Sequence, residues 1–406
     1  MDDGNIRLHI TAEDHTSGDY FTLSHCWGKT QPAKLTLARY DAMRRGIALA
    51  QLPLTFRDAV LFARFCKVRY IWIDSLCIMQ DSEAGWKAEA LRMGQAYANS
   101  LCNINATSSS DPSGGCFVSR GPDAVKPLLV RPSKNWLQHT DDVLHLCYSP
   151  DSWELNVEKA PLNTRAWVLQ ERLLAPRQLH CTAEQLFWEC RECRASETTP
   201  SSYPDDFWQD SATRYTLFQE PSGTFNNIYH SSAVLGDLCR QPLPTLDALS
   251  AQTEALSLGQ SEETTGHSRQ VSSITSHLGR LLSHQPQPLR MPLDLRSRRP
   301  EAATRANTNR GTESIQNQRA RSIQVQRGKV YEEWGKLVHE YSRRNMTYDT
   351  DRLAAIAGIV AIVQAGLDDE CLAELWRGQL PYQLLWDDGG LGRRLPDSGK
   401  VAPSWS

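Results

Sequence analysis

Tyr70-Ile71-Trp72-Ile73-Asp74-Ser75-Leu76-Cys77-Ile78 is the segment that most narrows what this chain can fold into. Its first four residues are apolar at every position. A sheet with one wet face produces alternation, whereas a run apolar on both faces belongs to a strand that helices cover on both sides. The pattern predicts a central strand ending at Asp74. Residues 20–24 and 101–105 read as two further short strands. Between them Phe56, Ala59, Val60 and Ala63 recur at helical spacing behind Pro53, a residue suited to a first helical turn. Trp86, Ala90, Met93 and Tyr97 repeat the same spacing. The order strand, helix, strand, helix, strand implies right-handed crossovers and an α/β fold with a mainly parallel sheet flanked by helices. Residues 143–148 read as another strand. Residues 178–181 and 185–190, with Thr182-Ala183-Glu184 between them, read as an added hairpin.

The 406 residues leave room for more than this one domain. Composition divides the chain into a polar lead-in (1–19), the α/β domain (20–193), a connecting region (194–242), a low-complexity stretch (243–327), a helical C-terminal region (328–387) and a loose tail (388–406). In the low-complexity stretch Ser, Thr, Gln, Arg and Pro dominate and aromatic residues vanish. Such a segment buries too little apolar surface to offset its ordering entropy, so it is expected to be disordered. In the C-terminal region residues 330–341 read as one helix. Leu353, Ile356, Ala357, Val360 and Val363 form the apolar stripe of a second.

Charge and composition remove several classes of function. A net charge of −3 makes the whole chain a poor electrostatic partner for nucleic acid. No apolar run approaches the roughly 20 residues of a membrane span. Residues 1–11 are polar and lack the apolar core of a secretory signal. The eleven cysteines are an odd number, set mostly inside apolar segments. They predict buried free thiols in a reducing compartment, and so a cytoplasmic protein.

Ligands of parallel α/β sheets bind at the carboxyl ends of the strands. Here those ends carry Ser24-His25-Cys26-Trp27-Gly28, Asp74-Ser75, and Asn105 with Thr107. Glu89 lies three residues after Trp86 and four before Met93, at the margin of its helix's apolar stripe. A carboxylate placed there acquires a raised pKa or a defined partner. The plainer alternative is a helix-start glutamate, or an ion pair with Arg92. His25 reads as a base, a ligand or a packing residue, and Cys26 as a nucleophile or a packed thiol. Cys190 and Cys193 alone fall short of the four ligands of a zinc site, so no metal is expected. There is no Gly-rich phosphate loop, no G-x-S-x-G and no HExxH. In the block 164–174, Arg165, Gln170, Glu171 and Arg172 are too polar to be filler, and are expected to bond buried backbone or carboxylates.

Three blocks in order resemble the fungal heterokaryon incompatibility (HET) domain. They are Leu23-Ser24-His25-Cys26-Trp27-Gly28; Tyr70 through Ile78 followed by Gln80-Asp81, Trp86, Glu89 and Met93; and Thr164-Arg165-Ala166-Trp167-Val168-Leu169-Gln170-Glu171-Arg172-Leu173-Leu174. The low-complexity stretch departs from the family, whose corresponding connection is usually shorter. The resemblance implies a role in non-self recognition after hyphal fusion, ending in programmed cell death, with self-association through the domain. HET domains are considered similar to TIR domains, which implies a TIR-like sheet. Many TIR domains cleave NAD+ at the nicotinamide–ribose bond with a glutamate on a helix after the second strand. Carried over, this implies Glu89 as the catalytic carboxylate and NAD+ as substrate rather than cofactor. Ser24, His25, Trp27, Asp74 and Trp86 would be its ligand-binding neighbours. A non-enzymatic module acting by self-association, or a regulatory protein reusing the fold, are the other readings.

Overall fold

The structure is a computed structural model; it describes residues 4–29, 33–118, 125, 128–130, 145–147, 151–190, 193–200, 203, 311–367, 369–372 and 375–383. Strands β1 (Tyr20–Ser24), β2 (Tyr70–Ile73), β3 (Cys102–Asn105), β4 (Arg177–Cys181), β5 (Leu186–Cys190) and β6 (Arg194–Ser196) form one six-stranded sheet. Its order is β6-β5-β4-β3-β1-β2. The pairs β1·β2, β1·β3 and β3·β4 are parallel, and β5 and β6 add antiparallel. Helices α1 (Leu37–Arg45) and α2 (Leu54–Phe65) lie between β1 and β2, α3 (Glu83–Ala98) between β2 and β3, and α4 (Ala166–Leu174) ahead of β4. The mixed α/β architecture with its added hairpin is therefore as expected.

One expectation is corrected. Among the described residues β2 is an edge strand, and β1 and β3 are internal. The apolar run of β2 still has both faces covered. Ile71 packs into the core on the α2 side and Trp72 into the core on the α3 side. Continuous hydrophobicity reports covered faces, and covered faces do not require two strand neighbours.

The sheet's two faces differ sharply. With period two, Phe21, Leu23, Cys102, Ile104, Leu179, Cys181, Leu186, Trp188 and Ala195 point into one apolar core with Phe56, Ala59, Val60 and Phe62. The alternate positions, Thr22, Ser24, Asn103, Asn105, Gln178, His180, Glu189 and Arg194, are polar and also buried. They are linked by hydrogen bonds. Thr22 Oγ1 donates to Asn103 Oδ1 at 2.9 Å, Asn105 Nδ2 to Gln178 Oε1 at 2.9 Å, and Gln178 Nε2 to the Arg172 carbonyl at 2.7 Å. Polar groups removed from water in this way are tolerated only when paired.

The C-terminal helices α5 (Gly311–Ser342) and α6 (Arg352–Leu367) cover this side. Trp334, Leu337, Tyr341, Ile356, Ile359 and Val363 share a core with Met93 and Tyr97 of α3 and Leu169 and Leu174 of α4. Helices α3 and α6 touch through glycines: a Cβ on Gly94 would stand 2.8 Å from the Gly358 Cα. The disorder expected for 243–327 is corrected at its end, since α5 begins at Gly311 rather than near residue 330. Gln and Arg, which fill that stretch, are good helix formers even with no apolar face to bury. Residues 243–310 and 388–406 lie outside the described residues. The strand expected at 143–148 is present as His145–Cys147, paired with Leu128–Val130 in a separate ribbon.

Candidate functional site

The strand order reverses between β1 and β3, whose ends Ser24 and Asn105 lie side by side. In sheets of this topology the crevice for a ligand opens at that point, beyond the carboxyl ends. Ser24 Oγ donates to Glu171 Oε2 of α4 and accepts from Asn103 Nδ2 at 2.9 Å. Past Ser24 the chain bends at Gly28, whose φ is +65° and whose Cβ would lie 2.4 Å from the Asp111 Cβ. Only glycine fits both requirements.

That bend lays Trp27 against the end of β2. Trp27 Nε1 donates to Asp74 Oδ2 at 3.0 Å, and the Ser75 N–H donates to Asp74 Oδ1 at 2.6 Å. His25 Nδ1 lies 3.6 Å from Asp74 Oδ1. The His25 ring stacks on Trp27 at 6.4 Å between centroids and meets Phe56 edge-on at 4.7 Å. Arg165, just before α4, donates to the His25 carbonyl. The start of α4 is itself anchored from the C-terminal region. Ala166 N donates to the Asn345 carbonyl at 2.9 Å, and Arg344 Nη1 to the Asn163 carbonyl at 2.6 Å.

Burial sets the electrostatics of this cluster. It pushes Glu171 up to about 7; Arg165 opposes that, Asp74 adds to it, and hydrogen bonds from Ser24 and Tyr97 pull it back. Tyr97 is raised well above its ordinary value, again by burial first. Burial lowers His25 to about 4 against the attraction of Asp74, so its ring is neutral near pH 7, and neither ring nitrogen has a hydrogen-bond partner among the described residues. Burial raises the Cys26 thiol, which removes the thiolate a nucleophile needs.

Of the residues singled out from sequence, Ser24, His25, Trp27 and Asp74 converge here. Trp86 and Glu89 sit on α3. Trp86 meets Trp167 of α4 edge-on at 6.2 Å. Glu89 Oε1 lies 3.2 Å from Arg92 Nη1, with the arginine side chain 71% exposed. Among the described residues no hydrogen bond or ion pair joins Glu89 to Ser24, His25, Trp27 or Asp74. Glu171 joins Asp74 as a second, more deeply buried carboxylate of the cluster, and the sequence contains a signal for it. Gln170, Glu171 and Arg172 are consecutive, and consecutive helical residues fan out by roughly 100° each. Three polar residues spread over that arc, between Leu169 and Leu173, cannot all face water.

A second polar centre lies beside the first. Arg172 bonds Glu189 at 2.6 Å and Glu158 at 2.9 Å. Arg194 and His180 also reach Glu189, both at 3.0 Å. Burial opposes ionisation of Glu189, but Arg172 and Arg194, with His180, hold it well below the usual carboxylate range. Among the described residues no set of three or more His, Cys, Asp or Glu side chains is arranged to hold a metal ion, and no helix is long and apolar enough to cross a membrane.

Fold and site define an α/β domain with a mainly parallel sheet and a buried polar cluster at its carboxyl edge. The family model described as heterokaryon incompatibility protein (HET) matches residues 20–171, from the first residue of β1 to Glu171. The chain thus carries a heterokaryon incompatibility (HET) domain over these residues. The sheet runs beyond the matched residues, because β4, β5 and β6 follow Glu171 and complete it. No curated protein and no solved structure matches the chain.

Proposed function

We propose that this protein is a cell-death effector or signalling module of non-self recognition, and that its TIR-like HET domain cleaves NAD+ at the nicotinamide–ribose bond. The observation that supports the reading is the Glu171 carboxylate, buried at the strand ends against Ser24. Loss of nicotinamide leaves an oxocarbenium-like ribose, and an anion in a low-dielectric site stabilises that charge. Trp27 and Trp86 offer faces on which nicotinamide or adenine stacks. Ser24 and Asp74 offer oxygens to the ribose hydroxyls. Glu89, the carboxylate implied by the TIR resemblance, is the other candidate for the same role. Glu171 and His25 are enclosed, whereas Trp27 and Asp74 are half-buried. Substrate therefore enters by opening the edge at Trp27 and Asp74, and self-association through the domain is the event that opens it.

The test is nicotinamide release from NAD+ by the purified full chain at high protein concentration. Wild type and Glu89→Gln release nicotinamide, and Glu171→Gln does not. The reverse pattern transfers the role to Glu89. The enclosure of Glu171 favours one second reading, a non-enzymatic module that signals by self-association. No release by wild type at any concentration, together with concentration-dependent assembly, selects that reading.

A further inference from the structure

We propose that Cys190 and Cys193 form a thiol–disulfide redox pair that a glutathione-type disulfide oxidises to an intramolecular bridge. Cys190 ends β5 and Cys193 directly precedes β6, and the antiparallel pairing of these strands brings them opposite one another. The Cys190 N–H donates to the Cys193 carbonyl at 2.9 Å, which holds the two backbones in register. Their sulfurs stand 3.7 Å apart. A disulfide bond is about 2 Å long, so side-chain rotation and a small shift close the gap. Both residues are half-buried cysteine thiols. By contrast Cys26, Cys102, Cys116 and Cys181 are buried, and buried thiols are inert. Among the described residues no third ligand turns the pair into a metal site.

The geometry also orders the steps. The Cys193 N–H donates to Cys190 Sγ at 3.4 Å, which favours negative charge on that sulfur. Cys190 thiolate attacks one sulfur of glutathione disulfide. The S–S bond breaks, one glutathione leaves as thiolate, and it takes the proton given up by Cys190. Cys193, deprotonated in turn, attacks the Cys190 sulfur of the mixed disulfide and expels the second glutathione, which takes the remaining proton. Two cysteine thiols are oxidised and one glutathione disulfide is reduced to two glutathiones. The bridge ties together the strand ends that carry Glu189, the partner of Arg172 on α4, and Arg194, which also pairs with Glu189.

The experiment equilibrates the full chain in glutathione buffers from fully reduced to strongly oxidising. Free thiols are then alkylated, and the protein is unfolded and digested with trypsin. Cleavage after Arg191 places Cys190 and Cys193 on separate peptides, so a bridge between them appears as a linked pair. The expected result is joint loss of two alkylatable thiols per chain, with that linked pair. Cys193→Ser, nearly isosteric, should instead trap glutathione on Cys190. Three outcomes overturn the proposal: both thiols alkylated across the whole series, mixed disulfides in wild type with no linked pair, or protection that a zinc chelator removes. The wild-type mapping stands without the variant, so a misfolded variant does not obscure the answer.

Discussion

Ser24 Oγ donates a hydrogen bond to the carboxylate of Glu171, 147 residues further along the chain. This contact joins the end of the first strand to the last residue matched by the HET family model. It makes the strand end and α4 one electrostatic unit, and that unit has a measurable pH signature.

Glu171 rises from an ordinary 4.5 to about 7 on burial, so the folded protein holds this proton more tightly than the unfolded chain. The associated stability is fully present below pH 4.5 and is lost as pH rises through 7. The shift corresponds to about 3 kcal/mol. Glutamine mimics the protonated acid. Glu171→Gln should match wild type near pH 4.5 and exceed it by about 3 kcal/mol at pH 8. Urea unfolding of both proteins at several pH values checks this, and a variant less stable than wild type at pH 8 would contradict it.

His25 carries the opposite sign. Its pKa falls from 6.5 to about 4, so its stability contribution is present above 6.5 and lost as pH falls toward 4. Between about 4.5 and 6.5 it offsets Glu171 in wild type. Removing Glu171 exposes it: the stability of Glu171→Gln should rise with pH across that window, by about 1.4 kcal/mol per unit at most.

If Glu171 is the anion that stabilises the oxocarbenium, NAD+ cleavage requires its ionised form. Turnover at low substrate should climb as pH passes through about 7 and level off above it. Glu89→Gln should leave this profile unmoved. A pH-independent rate between 6 and 8.5 would take Glu171 out of the mechanism.

Glu189 should be the costliest residue of the second polar centre to lose. Its carboxylate meets Arg172, Arg194 and His180 in a buried setting. Deleting it removes the carboxylate that Arg172 and Arg194 share in a buried setting, and breaking a buried ion pair in this way costs about 3–5 kcal/mol. Glu189→Ala should therefore unfold at much lower denaturant than wild type, and a midpoint unchanged by the substitution would show that the network is not closed.

Two glycine substitutions should have opposite effects. Alanine is favoured over glycine in a helix by about 1 kcal/mol. Gly335 in α5 has nothing within 4 Å of its Cβ position, so Gly335→Ala should stabilise by roughly that amount. A Cβ on Gly94 meets α6 backbone at 2.8 Å, too close to relieve by rotating a side chain. Overpacking of this kind costs about 1–3 kcal/mol, so Gly94→Ala should be net destabilising. Melting temperatures of the two variants decide the matter.

Sequence alone determined several of the elements that build the sheet domain. Strand and helix positions follow from local periodicity, and Tyr20–Ser24, Leu54–Phe65 and Glu83–Ala98 fall where that periodicity placed them. The polar ends of β1 and β2 were legible because a parallel sheet must present its carboxyl ends on one edge. Tertiary structure decided what periodicity does not encode. It set β2 at the edge, because helical cover and strand neighbours are separate properties. It began α5 at Gly311, because helix propensity needs no apolar stripe. It brought Glu171 to Ser24, because that contact arises only when α4 packs across the polar face of the sheet. A carboxylate's burial, and with it its pKa, belongs to the packed layers and not to its neighbours along the chain.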